Sequence, residues 1–342
     1  MTVLITGGVV SCSPCHIVKY PVDFAGKIEQ VPFYKAFAEH KQTIDLLCEK
    51  IERHIIIALQ NAHLSLSFLD NNPLFLSSTS FHISQGELLY PAIGEKSLYQ
   101  FNAIAEQLKI KHPKWQIYTI ATSCTSSANA LIYAKNSIDC GFYDNALVLG
   151  FECFNDLSLS NFYAMGLITE EYQPFQEEGF ILGEGIAAVV LQKEHKHNQQ
   201  GFLIKGLGCL NSQNNIAAVD FSTIQNTIEN ALNSAHIQAK DIALIKANAV
   251  GSISDEYEKS IYQNLFPQTP IVFFKQHIGN TLGASVLIEM VLLLHLFHSK
   301  QFTLCNEFSF RLPENINQGD FLICGFGFGG NCTALVVGKE DE

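Results

Sequence analysis

The sequence predicts an α/β protein made of two similar halves. Short apolar segments alternate along the chain with segments whose apolar residues recur at helical spacing, a pattern typical of mainly parallel sheets covered by helices on both faces. The pattern restarts after a polar stretch, where Phe202–Leu207 runs into Gly208 much as Thr2–Ile5 runs into two glycines. We therefore expect two halves of ordinary domain size, over residues 1–195 and 196–342.

The elements of the first half follow from apolar periodicity and strand composition. Seven apolar residues at helical spacing between Ile44 and Leu59 predict a long amphipathic helix. The other predicted elements, in chain order, are strand Thr2–Ile5, strand Pro73–Leu76, helix Leu98–Leu108, strand Gln116–Ala121, a helix from about Ser126, and strand Ala146–Gly150.

The second half is predicted in the same way. The turns after strands Gln116–Ala121 and Ile271–Phe274 hold equivalent places in the two halves, so a site shared between them would lie at the seam. The predicted elements are strand Phe202–Leu207, helix Thr223–Ala235, strand Ile242–Ala247, helix Asp255–Leu265, strand Ile271–Phe274, helix Ala284–Phe297, and strands Phe321–Ile323 and Thr333–Val337.

Composition favours a soluble, cytoplasmic protein. The chain has 342 residues, of which 47% are hydrophobic and 16% charged, enough to bury a large core. Its first residues lack the basic leader of a secretory signal. The longest apolar run, Val286–Phe297, is interrupted by Glu289 and is shorter than the roughly 20 residues that cross a bilayer. We expect a buried helix there.

Cysteine content and charge exclude several classes of function. Ten scattered cysteines fit reduced thiols better than a disulfide framework. Cys12 and Cys15 have the spacing of redox and zinc sites, but no second pair accompanies them, and two packed thiols are the alternative. A formal net charge of -12 argues against nucleic acid as a partner. No cofactor or metal is expected.

Cys124 lies where a predicted strand meets the first turn of a predicted helix. Free backbone N–H groups and the positive end of the helix dipole favour thiolate over thiol at such a position. We therefore expect Cys124 to be more nucleophilic than an ordinary buried cysteine. The alternative is a small residue packed at a crowded corner between strand and helix.

Two other segments could carry chemistry. The glycine-rich turn around Gly327 and Gly329 lets the backbone approach another group closely, and its N–H groups could face a reacting carbonyl. Lys275, His277 and Asn280 gather a cation, an imidazole and an amide just before a helix. A structural turn and solvated polar residues are the respective alternatives.

Taken in order, these segments resemble the β-ketoacyl-acyl carrier protein synthases, the condensing enzymes of the thiolase-like superfamily. The resemblance rests on the family's cysteine elbow, its D-G-F-x-x-G-E-G stretch and its G-F-G-G turn. These motifs are matched here by Thr122-Ser-Cys-Thr-Ser-Ser127, Glu178-Gly-Phe-Ile-Leu-Gly-Glu-Gly185 and Gly327-Phe-Gly-Gly330.

The resemblance implies a thiolase-like fold, with duplicated βαβαβ halves in a five-layered α-β-α-β-α sandwich. It implies an acyl group on Cys124 whose oxygen is held by the backbone N–H groups of Cys124 and Phe328. Phe328 would also serve as a gate beside Gly327 and Gly329 in the substrate-binding turn. Family members are dimers, and the resemblance places Asn145–Phe151 near a partner.

The sequence departs from the family at two histidines. The family's first histidine is replaced here by Val250, whose side chain cannot donate a hydrogen bond. The resemblance places Val250 in the substrate-binding site. The second falls on Asn280, as in a related branch that uses asparagine, whereas the family's lysine is kept as Lys275. Losing one donor to a developing oxyanion typically costs about 10²–10³ in rate. Condensation should therefore be slow unless His277 or a partner supplies the donor.

The leading hypothesis is a chain-length-factor-like subunit that forms a heterodimer with an active ketosynthase in fatty acid or polyketide-type biosynthesis. Because this chain is acidic, an acyl carrier protein would dock mainly on the partner. The short chain resembles most the subunits of bacterial aryl polyene pathways. The alternatives are an active synthase, acyltransferase or thioesterase that uses Cys124 with Asn280 and His277, and a lipid-binding or scaffolding homologue.

Overall fold

The computed structural model describes most of the chain. The described residues are 2–13, 15–94, 101–176, 178–194, 201–212, 219–297, 300–306, 310–313, 316 and 319–339. None of the helices in these ranges is both long enough and apolar enough to cross a membrane.

Strands and helices alternate as the periodicity predicted, although several bounds differ. The strands β1 to β14 are Val3–Cys12, Ile17–Phe24, Lys27–Tyr34, Leu74–Ser77, Ile117–Ile120, Asn145–Glu152, Leu182–Gly183, Gly185–Lys193, Phe202–Asn211, Ile242–Lys246, Ile271–Val272, Phe302–Leu304, Asp320–Phe326 and Asn331–Gly338. The helices α1 to α9 are Ile44–Asn61, Ile83–Ile93, Ala103–Lys111, Ser126–Asp139, Asp156–Ala164, Phe221–Ala235, Ser254–Leu265, Lys275–Ile278 and Ser285–Leu296.

The large sheet has two halves with the same plan. Its strand order is β11-β10-β13-β14-β9-β1-β8-β6-β4-β5, with β12 paired to β1. Counted from the outer edge of each half, three mutually parallel strands are followed by two strands that pair antiparallel. The two halves meet at the centre, where β1 pairs with β9 through Leu4 with Leu203 and Ile5 with Phe202. The duplication is as predicted, but the sheet is mixed rather than mainly parallel. A tight turn such as the one joining β13 to β14 permits only antiparallel pairing.

Three apolar cores separate the layers. Alternate residues of β6 face opposite sides: Ala146 and Val148 pack in a central core with α4 and α9, whereas Leu147 and Leu149 pack in an outer core with α1 and α3. A third core joins α6 and α7 to the other half of the sheet. The chain therefore has the five-layered α-β-α-β-α architecture that the family resemblance implied, with α9 buried in the middle layer. The domain boundary at residue 195 stays a prediction.

Some local predictions were wrong. Gly7 does not follow the first strand but lies inside it, at a place where a Cβ would come within 2.5 Å of the Ala58 carbonyl oxygen of α1. The helix predicted over Leu98–Leu108 begins at Ala103, and residues 98–100 lie outside the described residues. The hairpin of β2 and β3, which joins β7 in a separate three-stranded sheet, was not predicted.

The strand expected near a partner is an interior one. β6 is hydrogen-bonded to β4 on one side and β8 on the other, and its side chains after Asn145 are buried. The segment Asn145–Phe151 therefore offers no edge with which another chain could pair. Among the described residues, the free edge of this half of the sheet is β5, which pairs only with β4.

A buried histidine makes stability depend on pH. His54 on α1 donates from Nδ1 to the Lys50 carbonyl oxygen at 2.7 Å, so Nε2 accepts from the Ser11 hydroxyl at 2.8 Å. The pKa of His54 is lowered to about 4, mainly by burial and to a lesser extent by the charges of Arg53 and Lys50, while the hydrogen bond to the Lys50 carbonyl oxygen acts in the opposite direction. The folded protein therefore holds this imidazole neutral, while the unfolded chain takes up a proton near pH 6.5.

We expect the free energy of unfolding to fall between pH 6.5 and pH 4, by at most about 3 kcal/mol from His54. The sign follows because the unfolded state binds the extra proton. Urea unfolding of the wild type and His54→Gln at pH 4.5, 6 and 7.5 measures it, and the variant should show the shallower loss. Parallel pH dependences in the two proteins would contradict the assignment.

Candidate active site

The turn between β5 and α4 presents Cys124 at the start of the helix. Ser123 has a positive φ of 55°, which bends the chain sharply before the cysteine. The Ser126 hydroxyl fixes this bend, since it donates to the Ser123 carbonyl oxygen at 2.6 Å and accepts from the Thr122 N–H at 2.9 Å. The local sequence thus forms the elbow that the motif predicted.

A narrow cavity of about 30 Å³ opens at the Cys124 side chain. It brings together residues of both halves, and six of the eight predicted site residues line it. These are Cys124, Val250, Lys275, Asn280, Gly327 and Phe328.

The pKa of the Cys124 thiol is raised to about 11. Burial is the main cause, and the nearby Glu152 carboxylate adds to it; the Phe328 N–H, Lys275 and the Cys124 N–H act in the opposite direction. Desolvation in the cavity therefore outweighs the N–H groups that favour the thiolate, and the nucleophilic role of Cys124 stays a prediction. Part of the cysteine surface stays accessible, so the thiol is protonated at neutral pH but reachable.

The glycine-rich turn between β13 and β14 packs directly on the elbow. A Cβ at Gly327 would lie 3.3 Å from both Cys124 Cβ and Thr125 Cγ2. Gly329 and Gly330 have φ values of +93° and +79°, so the turn requires glycine there. The turn brings the Phe328 N–H to the Cys124 sulfur, whereas Gly329 does not line the cavity.

Asn280 brings an amide to the cavity. Its Oδ1 accepts from the Leu282 N–H at 3.1 Å and from the Ser285 hydroxyl at 3.2 Å, and the side chain is buried. Because the oxygen is occupied, the amide nitrogen is the group left to donate to a bound molecule.

Lys275 is held by a buried carboxylate that the sequence analysis did not assign. Its Nζ lies 2.7 Å from Glu289 Oε1, and a second lysine, Lys246, lies 2.8 Å from Glu289 Oε2. All three side chains are buried, and desolvation lowers the pKa of Lys246. The signal was present in the sequence, since Glu289 interrupts an otherwise apolar helix and a charge there needs a partner.

Two more buried carboxylates hold the loop that carries Val250. Glu258 accepts from the N–H groups of Asn248 and Ala249 at 2.6 and 2.8 Å, and Asp255 accepts from that of Val250 at 3.1 Å. Burial, and then the charge of Asp255, raise the pKa of Glu258 to about 7. These contacts fix the backbone at Val250, so the side chain at this position reaches the cavity from a rigid loop.

An apolar cap covers the cavity. It is formed by the β2–β3 hairpin, α5 and the segment before β7, and both Cys124 and Val250 pack against it. The Phe328 ring meets the Phe162 ring at a centroid distance of 5.9 Å. Such surroundings suit an acyl chain better than a polar substrate.

The Glu178–Gly185 stretch is part of the support for the site. Glu184 accepts from the N–H groups of Phe37 at 2.8 Å and Phe154 at 3.1 Å, which ties the cap to the sheet. Gly183 packs against the Ile278 carbonyl, where a Cβ would not fit. This motif therefore has a structural explanation.

His277 does not line the cavity. Its Nδ1 lies 3.8 Å from Cys15 Sγ, its Nε2 lies 3.0 Å from Gln276 Nε2, and its ring packs on Phe310. The short helix α8 points Lys275 inward and His277 away from Cys124. Cys12 and Cys15 are free thiols, and among the described residues no His, Cys, Asp and Glu side chains group to hold a metal ion.

Comparison with known proteins identifies relatives of this chain. The family model for the amino-terminal domain of beta-ketoacyl synthases matches residues 82–197, and that for the carboxyl-terminal domain matches 202–305. A 3-oxoacyl-[acyl-carrier-protein] synthase homolog from Saccharomyces cerevisiae is 25% identical over 224 residues, covering 60% of this chain and 48% of the relative. A putative polyketide beta-ketoacyl synthase 1 from Streptomyces cyaneus is 25% identical over 210 residues, covering 55% and 49%. The chain thus spans about half the length of the curated relatives it matches.

Solved structures share the fold over the whole chain. A structure of the ketosynthase ApeO in complex with its chain length factor ApeC from Xenorhabdus doucetiae matches with a TM-score of 0.78 and 17% identity, covering 99% of this chain and 98% of the other. A beta-ketoacyl synthase from Burkholderia phymatum matches with a TM-score of 0.79 and 18% identity, covering 99% and 100%.

Proposed function

Because this chain belongs to the β-ketoacyl synthase family, we propose that it is a non-condensing, chain-length-factor-like subunit that pairs with an active β-ketoacyl synthase in fatty acid or polyketide-type biosynthesis. One observation carries the proposal: the aliphatic side chain of Val250 lines the same cavity as Cys124, and none of the described lining residues is a histidine. The cavity has the nucleophile of the family without its imidazole.

This site is better suited to holding an acyl group than to extending one. Chain extension places negative charge on an enolate oxygen as carbon dioxide leaves, and donors facing that oxygen supply much of the acceleration. Val250 has no such donor, and His277 lies elsewhere. The N–H groups of Cys124 and Phe328, with Asn280, can still hold a thioester carbonyl.

A free apolar edge supports the pairing with a partner. In the described part of the chain β5 pairs with β4 alone, and a groove of about 510 Å³ lies beside it, lined by aromatic side chains that include Tyr118, Tyr133 and Phe142. Phe142 is 77% exposed. Strand edges and exposed aromatic clusters of this kind are buried by partners in stable complexes.

A finer part of the proposal rests on charge. The acyl carrier protein would dock on the partner, because a net charge of -12 on this chain repels an acidic carrier. An aryl polyene-type product and a cytoplasmic location belong to the same proposal.

An acyltransferase or an active synthase is the second candidate. The retained Cys124 favours it, together with the Phe328 N–H at its sulfur and the amide of Asn280 in the same cavity. This candidate has to work without His277. Turnover of an acyl or malonyl thioester by the purified chain, lost in Cys124→Ala, would distinguish it from the first.

Co-expression with a β-ketoacyl synthase from the same organism tests the pairing. We expect the partner to lose most of its product formation when this chain is omitted. Phe142→Glu should lower the amount of co-purified partner at least about tenfold, because a charge would be buried among aromatic side chains. Pull-down and size-exclusion chromatography measure the complex.

Ile110→Glu is the matched control, since Ile110 on α3 is also 77% exposed and lies outside the groove. It should leave the complex intact. A partner that is equally soluble and equally productive without this chain would disprove the proposed function.

A further inference from the structure

The two N–H groups at the Cys124 sulfur come from different halves of the chain. One belongs to Cys124 itself at the start of α4, and the other to Phe328 in the turn between β13 and β14. Donors stabilise an oxyanion only when both lie about 2.7–3.1 Å from the same oxygen. The distance between elbow and turn therefore decides whether the pair can act together.

Asn331 connects these two segments through its side-chain oxygen. Oδ1 accepts from the Thr125 hydroxyl at 2.5 Å and from Asn129 Nδ2 at 2.9 Å, both in the first turns after Cys124. Thr125 and Asn129 are buried. Its backbone oxygen also accepts from the Gly327 N–H at 2.9 Å, which closes the turn that carries Phe328.

The outer side of Asn331 is anchored as well. Its Nδ2 donates to Asn211 Oδ1 at 2.7 Å and lies 3.7 Å from Cys209 Sγ, both on β9. The elbow is in turn braced internally, because Asn129 Nδ2 also donates to Thr122 Oγ1 at 2.8 Å. One side chain thus joins the elbow, the glycine turn and the sheet.

We propose that Asn331 is a positioning residue for the oxyanion site: it holds the Cys124 and Phe328 N–H groups in register across the seam between the halves. The inference rests on the proposed capacity of Cys124 to hold an acyl group. In that step Cys124 Sγ bonds to the carbonyl carbon of an acyl thioester, whose oxygen takes the negative charge. Collapse breaks the bond to the leaving sulfur, which departs as a thiol carrying the cysteine proton.

Two reactions of the same sulfur separate positioning from mere support. Acylation by an acyl N-acetylcysteamine thioester creates an oxyanion, whereas alkylation by iodoacetamide displaces iodide and creates none. Both require an exposed, correctly folded Cys124. The ratio of the two rates, followed by intact mass and peptide mapping of Cys124, therefore reports on the oxyanion site alone.

We expect Asn331→Ala to lower the acylation rate at least about tenfold and to change the alkylation rate less than about twofold. Asn331→Asp should restore most of the acylation, because it keeps both acceptor contacts and the Asn211 amide can turn to donate to it. Cys209→Ala should behave like the wild type, because it removes only the weak thiol contacts to Asn331 Nδ2 and Asn129 Oδ1, at 3.7 and 3.5 Å, and leaves both acceptor contacts of Asn331 Oδ1 in place.

Three outcomes would overturn the proposal. They are an equal loss of both reactions in Asn331→Ala, no loss of either, and a wild-type Cys124 that is alkylated but never acylated. The pairing with a synthase is measured separately by co-expression, so failure of the proposed function and failure of this inference are distinguishable.

Discussion

Replacing Val250 by histidine should raise the rate at which the purified chain decarboxylates a malonyl thioester by about 10²-fold or more. The loop carrying this position is fixed by Asp255 and Glu258, and its side chain lines the cavity at Cys124. An imidazole there would supply the donor that the enolate oxygen lacks. Release of carbon dioxide from malonyl-N-acetylcysteamine, compared with the uncatalysed rate, measures the effect.

Val250→Leu is the control, because it keeps the position aliphatic and should leave the slow wild-type rate unchanged. A faster decarboxylation by Val250→Leu would show that packing, and not hydrogen bonding, raises the rate. If the wild type already matches Val250→His, another group in the cavity supplies the donor. The non-condensing role would then be wrong.

Replacing Glu289 by alanine should destabilise the fold by about 3–5 kcal/mol. Glu289 is the shared partner of Lys246 and Lys275, at 2.8 and 2.7 Å, and all three side chains are buried. Removing the carboxylate leaves two ammonium groups in an apolar interior, where an unpaired charge is strongly disfavoured. Urea unfolding monitored by circular dichroism measures the loss.

The triple variant Lys246→Met, Lys275→Met, Glu289→Met separates charge from packing. Well-packed apolar replacements of a buried ion pair are often neutral or stabilising, so this variant should recover most of the lost stability. Glu289→Gln, which keeps the shape but not the charge, should fall between the two. A Glu289→Ala protein as stable as the wild type would show that these lysines are neutral in the fold.

The elbow and the glycine turn could be predicted because their signals are local. A strand, a bend and a helix start at Cys124 follow from neighbouring residues, and the turn at Gly327 and Gly329 follows from glycine spacing. The difference at Val250 follows from comparing the local motif with that of the family it resembles. In each case the information lies within about ten residues of chain.

Three features of the site could not be predicted from the sequence. His277 is only two residues from Lys275, yet one turn of α8 sends the two side chains in different directions. Lys246 and Glu289 are 43 residues apart and meet only because β10 packs beside α9. The pKa of Cys124 depends on how deeply the elbow is buried, which no local pattern reports.

The sequence by itself determined the alternation of elements and the duplicated plan, because periodicity is written along the chain. It also gave Cys124 as the predicted nucleophile, and the family resemblance gave Val250 at the place of a histidine. The tertiary structure alone decided which polar groups reach the cavity, how burial sets the cysteine pKa, and that β5 rather than β6 is the free edge. Those properties depend on distances between segments far apart in sequence, and only packing fixes such distances.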